Sequence, residues 1–185
     1  MSCLPASFSN FGNVLVVSSS TRPTGSSLYE GRVIYETDTD RLLVWNGSAW
    51  IVMSGRVGAR ADRVTNQSIS NNTVTSISFD SETADTDGFI TPTSTTVTIP
   101  SGLDGVYAIF AHCVWASGPG TGCWSSIASS GTRLGAVANA GDTRSAVSIT
   151  LPLAAGATIS YQVYQISGGA INVTSASLYV YRIGP

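Results

Sequence analysis

The chain has 185 residues, of which 43% are hydrophobic and 11% are charged, so it holds enough apolar material for a folded core but few charges for its surface. A formal net charge of −2 excludes the strongly positive field that gathers a nucleic-acid backbone, and no stretch approaches the roughly 20 apolar residues that span a bilayer. We therefore expect no nucleic-acid partner and no membrane insertion, and the N-terminus, which lacks the pattern of a secretory signal, predicts synthesis in the cytoplasm.

Residues 1 to 27 are the first segment of the chain. They contain one short apolar run, residues 14 to 17, followed by Ser, Thr, Pro and Gly. So little apolar material favours an anchoring arm over an independent domain. The candidate docking residues of this arm are Phe8, Phe11, Leu15 and Val17.

Residues 28 to 54 carry the pattern of three short strands joined by tight turns. Asn46-Gly47 is the strongest of the turn signals, because Asn-Gly favours the type I′ turn of a β-hairpin. We therefore predict a three-stranded meander, with strands at 32–36, 42–45 and 50–52. So short a meander cannot bury its own Tyr35, Trp45 and Trp50, which makes these side chains candidates for contact with other copies of the chain.

Residues 55 to 65 are rich in Gly and charged residues and predict a linker. From residue 66 to 185, apolar and β-branched residues recur in short runs with the spacing of a β-sandwich. The predicted strands lie at 73–79, 95–99, 105–116, 122–129, 132–138, 145–151, 157–166 and 171–183.

Two of these strands are apolar on both sides. In the strand from 105 to 115, one side carries Val106, Ala108, Phe110 and Val114, and the other carries Tyr107, Ile109, Ala111, Cys113 and Trp115. In the last strand, Leu178 and Val180 alternate with Tyr179, Tyr181 and Ile183. One side of each strand can enter the core of the domain, while the other needs a neighbouring subunit, or a loop or the N-terminal arm, to cover it.

The two-sided pattern therefore predicts a homotrimer in which three copies cover one another. The candidate interface residues are Tyr35, Trp45, Trp50, Tyr107, Ile109, Tyr179 and Tyr181.

The sequence offers little for catalysis or metal binding. A hydrolase triad needs a histidine base, and the single histidine, His112, lies in the middle of a predicted strand, which favours a buried or interface imidazole over a catalytic base. No cofactor motif is present. Cys113 and Cys123 can face each other across a hairpin turning at 117–120, either as a disulfide or, as in most cytoplasmic proteins, as free thiols. The acidic residues between 80 and 87 suit either a solvated turn or a calcium loop. We predict no enzyme, no cofactor and no metal site.

Residues 22 to 50, RPTGSSLYEGRVIYETDTDRLLVWNGSAW, resemble a segment that recurs in phage minor tail proteins and fibres. The resemblance lies in the Arg-Pro arm at 22–23, Tyr-Glu-Gly at 29–31, Tyr-Glu-Thr-Asp-Thr at 35–39, and an Asn-Gly hairpin closed by Trp50. The resemblance implies that the chain is a virion protein. It indicates where the protein lies in the particle and says nothing of catalysis or ligand binding.

Residues 66 to 185 resemble the jelly roll shared by the globular head of complement and the tumour-necrosis-factor-like ligands. The resemblance is carried by Ile99-Pro100 before Gly105-Val106-Tyr107, by the stretch from 151 to 160, and by the closing strand from 176 to 181. It implies a trimer with the closing strand on its axis. The sequence departs from the family at Ala157, where Asp is usual, so no calcium or receptor residues carry over.

The sequence therefore predicts an all-β trimeric structural protein of a phage particle, assembled in the host cytoplasm and displayed on the virion. One role is a tail fibre or tail tip whose loops, including 116–122 and 166–171, hold a host surface glycan or protein. The alternative is a capsid decoration protein or head fibre docked on the shell. A virion depolymerase and a secreted cellular ligand are the remaining alternatives.

Overall fold

The computed structural model describes residues 14–54, 57–91, 93–139 and 141–184. The chain divides into two compact units, residues 1–55 and residues 56–185. Apart from two short 3-10 turns at Ser19–Thr21 and Gly25–Ser27, the regular structure of the described residues is all β, as predicted. None of the described residues belongs to a helix long and apolar enough to cross a bilayer.

The N-terminal unit is one small sheet. Its strands are β1 (Leu15–Val17), β2 (Val33–Glu36), β3 (Arg41–Trp45) and β4 (Trp50–Ser54), in that spatial order. The meander predicted over 28–54 is present as β2, β3 and β4, and β1 adds a fourth strand that runs parallel to β2. Residues 15 to 17, which the sequence assigned to the docking arm, are therefore sheet residues.

The predicted Asn-Gly hairpin joins β3 to β4. The Asn46 side-chain oxygen accepts hydrogen bonds from the backbone N–H of Ser48 at 3.0 Å and of Ala49 at 2.8 Å. Gly47 has φ of +95°, a left-handed conformation that glycine adopts at little cost. Two features therefore stabilise the predicted turn: the Asn46 side chain caps its backbone N–H groups, and Gly47 adopts the left-handed conformation that the turn needs.

The C-terminal unit consists of two facing sheets. Its strands are β5 (Gly58–Arg63), β6 (Gln67–Ile69), β7 (Thr75–Ser76), β8 (Ser81–Asp85), β9 (Val97–Thr98), β10 (Gly105–Trp115), β11 (Cys123–Ser129), β12 (Thr132–Asn139), β13 (Arg144–Leu153), β14 (Thr158–Tyr164) and β15 (Ile171–Gly184). The six-stranded sheet has the spatial order β13, β10, β15, β5, β8, and β6 also pairs with β15. The five-stranded sheet has the order β12, β11, β14, β7, and β9 also pairs with β14. This antiparallel sandwich is the predicted jelly roll.

The core of this unit lies between the two sheets. Alternate residues of each strand enter it, and Tyr107, Ile127, Tyr161 and Leu178 are among the side chains with no exposed surface. All eight strands predicted between 73 and 183 are found, although the first two are reduced to the two-residue pairs β7 and β9.

The predicted linker needs correction. Residues 58 to 63 form β5, which lies inside the large sheet between β15 and β8. Ala59 and Ala61 are fully buried, while Arg60 between them points away from the core. The sequence analysis missed this strand because its inward residues are alanines, which add little to the apolar alternation that predicts a strand.

The predicted hairpin between Cys113 and Cys123 is also wrong. Cys113 lies in β10, which pairs with β13 and β15, whereas Cys123 lies in β11, which pairs with β12 and β14. The chain crosses from one sheet to the other between them. Both cysteines are buried thiols, and no disulfide joins them.

Candidate assembly surfaces

The outer face of the six-stranded sheet carries a cluster of aromatic rings. The Phe110 ring centroid lies 5.7 Å from that of His112 and 5.6 Å from that of Tyr179, and the His112 and Tyr179 rings stack with centroids 6.1 Å apart. The Arg60 guanidinium carbon lies 5.0 Å from the Tyr179 ring centroid, within range of a cation–π contact. We call the outward side chains of Arg60, Phe110, His112, Tyr179 and Tyr181 the aromatic face.

This face corrects two of the predicted interface residues. Tyr107 and Ile109 point into the core and have 0% and 2% of their surface exposed, so their side chains cannot contact another copy. The outward side of β10 is the one bearing Ala108, Phe110 and His112, and Phe110 is 42% exposed. The sequence pattern identified a two-sided strand, but it could not say which side entered the core, because both are apolar.

Tyr179 and Tyr181, in contrast, do lie on the outward side of β15 and are half-buried. Together with Ala108, Phe110 and Ile149 they line an open groove of about 540 Å³. The predicted side of the closing strand is therefore available for assembly.

A buried carboxylate organises the polar edge of the aromatic face. Asp62, 5% exposed, accepts hydrogen bonds from Arg60 Nε at 3.0 Å, from the Ser177 hydroxyl at 2.5 Å and from the Thr83 hydroxyl at 2.5 Å. The pKa of His112 is lowered from its ordinary value, first by burial and then by the nearby Arg60 cation. The imidazole is therefore neutral at pH 7, and the one cation of the face is paired.

A second exposed apolar surface lies on the five-stranded sheet, at β12. This strand is at the edge of its sheet, and among the described strands it pairs with β11 alone. Leu134 and Val137 are 38% and 41% exposed. An edge strand with few charges presents unpaired backbone groups and apolar side chains together, which is a surface suited to contact with another chain.

The two loops predicted to hold a host receptor lie side by side. Ile166 N–H donates to the Pro119 carbonyl at 3.0 Å, and Ala116 N–H donates to the Asn172 carbonyl at 2.9 Å. Gly120 has φ of +94°, and a Cβ there would lie 2.9 Å from the Ile166 carbonyl oxygen, so only glycine allows this close approach. We call residues 116–122 and 165–172 the loop end of the domain.

The remaining predicted residues lie in the N-terminal unit. Tyr35, Trp45 and Trp50 are half-buried, and the two tryptophan rings meet edge to face with centroids 5.5 Å apart. Leu15 is 40% exposed and Val17 is half-buried. Phe8 and Phe11 lie outside the described residues.

Sequence reasoning missed the polar centre of this unit. The Glu36 side chain is completely buried and pairs with Arg22, whose Nη2 lies 3.0 Å from Glu36 Oε2, while the Thr39 hydroxyl donates to the same oxygen at 2.8 Å. Arg22 holds the pKa of the Glu36 carboxyl below its usual range. All three residues belong to residues 22–50, so the Arg-Pro and Tyr-Glu-Thr-Asp-Thr elements of that segment form one bonded unit.

The turn predicted at the acidic residues between 80 and 87 is wrong in part, since Ser81–Asp85 forms β8, and Asp80 and Asp85 accept hydrogen bonds from the backbone at the two ends of that strand. Asp80 accepts hydrogen bonds from the N–H groups of Val64 and Thr65 at 2.8 and 3.2 Å, and Asp85 accepts from four consecutive N–H groups, residues 87 to 90, at 2.8 to 3.1 Å. Within the described residues, no group of three or more His, Cys, Asp or Glu side chains is placed to hold a metal ion. These carboxylates support turns.

The fold defines the class of the C-terminal unit as a jelly roll of the complement and tumour-necrosis-factor-like type. Among solved structures, the chain is similar to the PRD1 vertex protein P5, with a TM-score of 0.57 and 12% identity over 71% of this chain and 100% of that chain. It is similar to murine APRIL, with a TM-score of 0.55 and 10% identity over 69% and 99% of the two chains. For the globular domain of zebrafish complement 1qA protein the TM-score is 0.50, with 13% identity over 69% and 97%.

At these identities the similarity establishes a shared fold, and the predicted likeness to the complement and tumour-necrosis-factor-like jelly roll is confirmed at that level. No family model matches the sequence, and no curated protein matches it. The resemblance of residues 22–50 to phage tail proteins therefore stays a prediction.

Proposed function

We propose that the chain is a structural protein of a phage virion, assembled as a homotrimer, displayed on the particle surface and contributing to host attachment. The observation that carries the proposal is the pair of exposed apolar surfaces on one jelly roll, the aromatic face and the edge strand β12. The phage-like segment at 22–50 supports location in the particle, and other phage structural proteins would be the docking partners of the N-terminal arm.

The two surfaces favour a ring of copies. They differ in shape and composition, and they lie on different sheets. A contact between the aromatic face of one copy and the edge strand β12 of the next is heterologous, because it joins two different surfaces. Both surfaces are covered in every copy only when the copies close into a ring. A closed trimer is the smallest ring that this arrangement forms, and it covers Phe110, Leu134 and Val137 in every copy.

Light scattering tests the assembly. The purified protein should have about three times the 19.2 kDa chain mass. A monomer that persists at micromolar concentration would remove the main support for the proposal.

Two positions on the particle remain in competition, and a different observation favours each. Residues 22–50 resemble tail proteins and support a tail fibre or tail tip. The structural likeness to a protein described as a vertex protein supports a capsid decoration or head fibre. We favour the tail, because a sequence resemblance is more specific than a shared fold.

Gold-labelled antibody on intact particles distinguishes the two positions. Label at the tail supports the first, and label confined to the capsid overturns our preference without affecting the trimer. Incubation with host polysaccharide should release no reducing ends, since we expect no enzyme; release of reducing ends would contradict that expectation.

A further inference from the structure

A row of four side chains crosses the outer face of the five-stranded sheet next to the loop end. Trp124 on β11 lies directly opposite Tyr164 on β14, Arg133 extends from β12 on the other side of Trp124, and Asn72 precedes β7 beside Tyr164. We call these four residues the aromatic row. The core does not account for this row, and although Arg133 lies on the edge strand β12, its guanidinium turns inward over the Trp124 ring.

The two rings of the row are stacked with an offset. Their planes are 10° apart and their centroids 5.5 Å apart. The planes of two stacked rings in contact lie about 3.5 Å apart, so one centroid is displaced sideways from the other by about 4 Å. The offset leaves part of each ring face uncovered by the other ring. The Arg133 guanidinium carbon lies 4.6 Å from the Trp124 ring centroid, and Trp124 and Tyr164 remain partly exposed.

The far end of the row is held rigidly. The Tyr164 hydroxyl donates to the Asn72 side-chain oxygen at 2.5 Å, and Asn72 N–H donates to the Gln165 carbonyl at 2.8 Å. Gln165 is fully buried, and its amide nitrogen donates to the carbonyls of Ile69 and Gly169 at 3.0 and 2.8 Å. Because these bonds are already formed, a ligand would not have to order this part of the surface.

The chemistry of the row suits a sugar that carries a carboxylate. Partly exposed aromatic faces pack against the C–H faces of a sugar ring, while an amide and a hydroxyl satisfy its polar groups. Arg133 is exposed and, within the described part of the chain, pairs with no carboxylate. A guanidinium presents a fork of N–H donors that matches a carboxylate.

The size and surroundings of the row also fit a saccharide. Strands lie about 4.8 Å apart, so the row extends about 14 Å across the sheet, enough for two or three sugar rings. The neighbouring outward positions on β11 and β14 are Ser126, Ala128, Ser160 and Gln162, and of these only Gln162 is not buried. Gln162 lies two residues before Tyr164 on the same side of β14, so its amide adds one polar group beside the row.

We propose that the aromatic row binds a carboxylate-bearing saccharide of the host surface, with Arg133 on the carboxylate, the two rings against the sugar rings and Asn72 on a hydroxyl. This inference rests on the proposed role in host attachment and gives that role a site and a ligand class. Three copies in one trimer would bind a repeating polysaccharide with far higher avidity than one copy binds a short oligosaccharide.

The experiment uses the full-length protein and an array of oligosaccharides containing glucuronate, galacturonate or sialate. Each is paired with its carboxyl-reduced, neutral counterpart. We expect binding to at least one acidic member, and binding to its reduced counterpart at least tenfold weaker. Arg133→Gln should weaken binding to the acidic member by at least tenfold and leave the reduced counterpart within twofold.

Two further variants complete the design. Trp124→Leu should weaken binding of both members of the pair, because the rings contact the sugar and not its charge. Arg144→Gln, which removes an exposed arginine of β13, is the matched control and should change neither. Circular dichroism and light scattering of every variant establish that fold and trimer are intact.

Three results would overturn the inference: no acidic member binds, acidic and reduced members bind equally, or Arg133→Gln leaves acidic binding unchanged. Binding of a protein receptor through these residues with no saccharide present would overturn it as well. Particle location and chain mass are measured separately. A trimer found on the virion that binds no acidic saccharide therefore refutes this inference and leaves the proposed function standing.

Discussion

Replacing Phe110 tests directly whether the aromatic face holds the proposed trimer together. The side chain is 42% exposed in one chain. A phenylalanine presents about 200 Å² in total, so about 80 Å² would be newly covered in the trimer. At about 25 cal/mol per Å² this surface contributes about 2 kcal/mol per chain and about 6 kcal/mol to the trimer.

Phe110→Ser should therefore raise the equilibrium constant for dissociation into three monomers by about 10⁴. The concentration at which half the chains are trimeric depends on the square root of that constant, so it should rise about 100-fold. Sedimentation or light scattering over a dilution series measures this midpoint. The fold of the single chain should be kept, because Phe110 lies outside the core.

Val64→Ser is the matched control, since Val64 is 64% exposed and lies between β5 and β6, away from the aromatic face. It should leave the midpoint within twofold. An unchanged midpoint for Phe110→Ser, or an equal shift for the control, would refute the assignment of this face to the trimer.

Four further outcomes follow from the contacts. Arg22→Gln should destabilise the N-terminal unit by about 2 kcal/mol in denaturant unfolding, less than the loss of a fully buried ion pair because Arg22 is itself 37% exposed. Since the pKa of Glu36 is lowered in the folded state, this unit should keep its full stability above about pH 5 and lose it as pH falls below about 4.3; a flat profile would contradict the pairing. The pKa of His112 is also lowered, so the folded jelly roll binds fewer protons than the unfolded chain. Its free energy of unfolding should therefore fall as pH drops below about 6.5. Thermal unfolding measures this loss, and His112→Gln should abolish it. Gly120→Ala should cost about 1–2 kcal/mol because of its positive φ and the nearby carbonyl oxygen, whereas Gly122→Ala, which meets only the flexible end of a side chain, should cost less.

The hairpin at Asn46-Gly47, the two-sided strands and all strands after residue 73 except β8 were predictable from the sequence. Their signals are local, since turn residues fix the backbone and alternation of side chains fixes the strand. The strand at 58–63 was not predictable, because its alanines carry little apolar signal. Their contribution to the fold comes from the close pairing of β5 with β15, which the local sequence does not reveal.

The candidate interface residues also fall into those that the sequence placed correctly and those that it did not. Tyr179 and Tyr181 lie outside the core, as predicted, while their neighbours Leu178 and Val180 are fully buried. Tyr107 and Ile109 were not, because β10 is apolar on both sides and only its position between β13 and β15 decides which side meets the second sheet. The buried Glu36 and the aromatic row were missed for a related reason: Arg22 and Glu36 are 14 residues apart, and Trp124 and Tyr164 are 40 residues apart.

The all-β class, the Asn-Gly turn and most strand positions follow from the sequence alone, because these depend on neighbours along the chain. The strands β1, β5, β6 and β8, the faces that are buried, the carboxylates that are paired and the distant side chains that share a surface emerge only in the fold. A strand's pattern describes two faces equally, and the pairing of strands from distant parts of the chain selects between them.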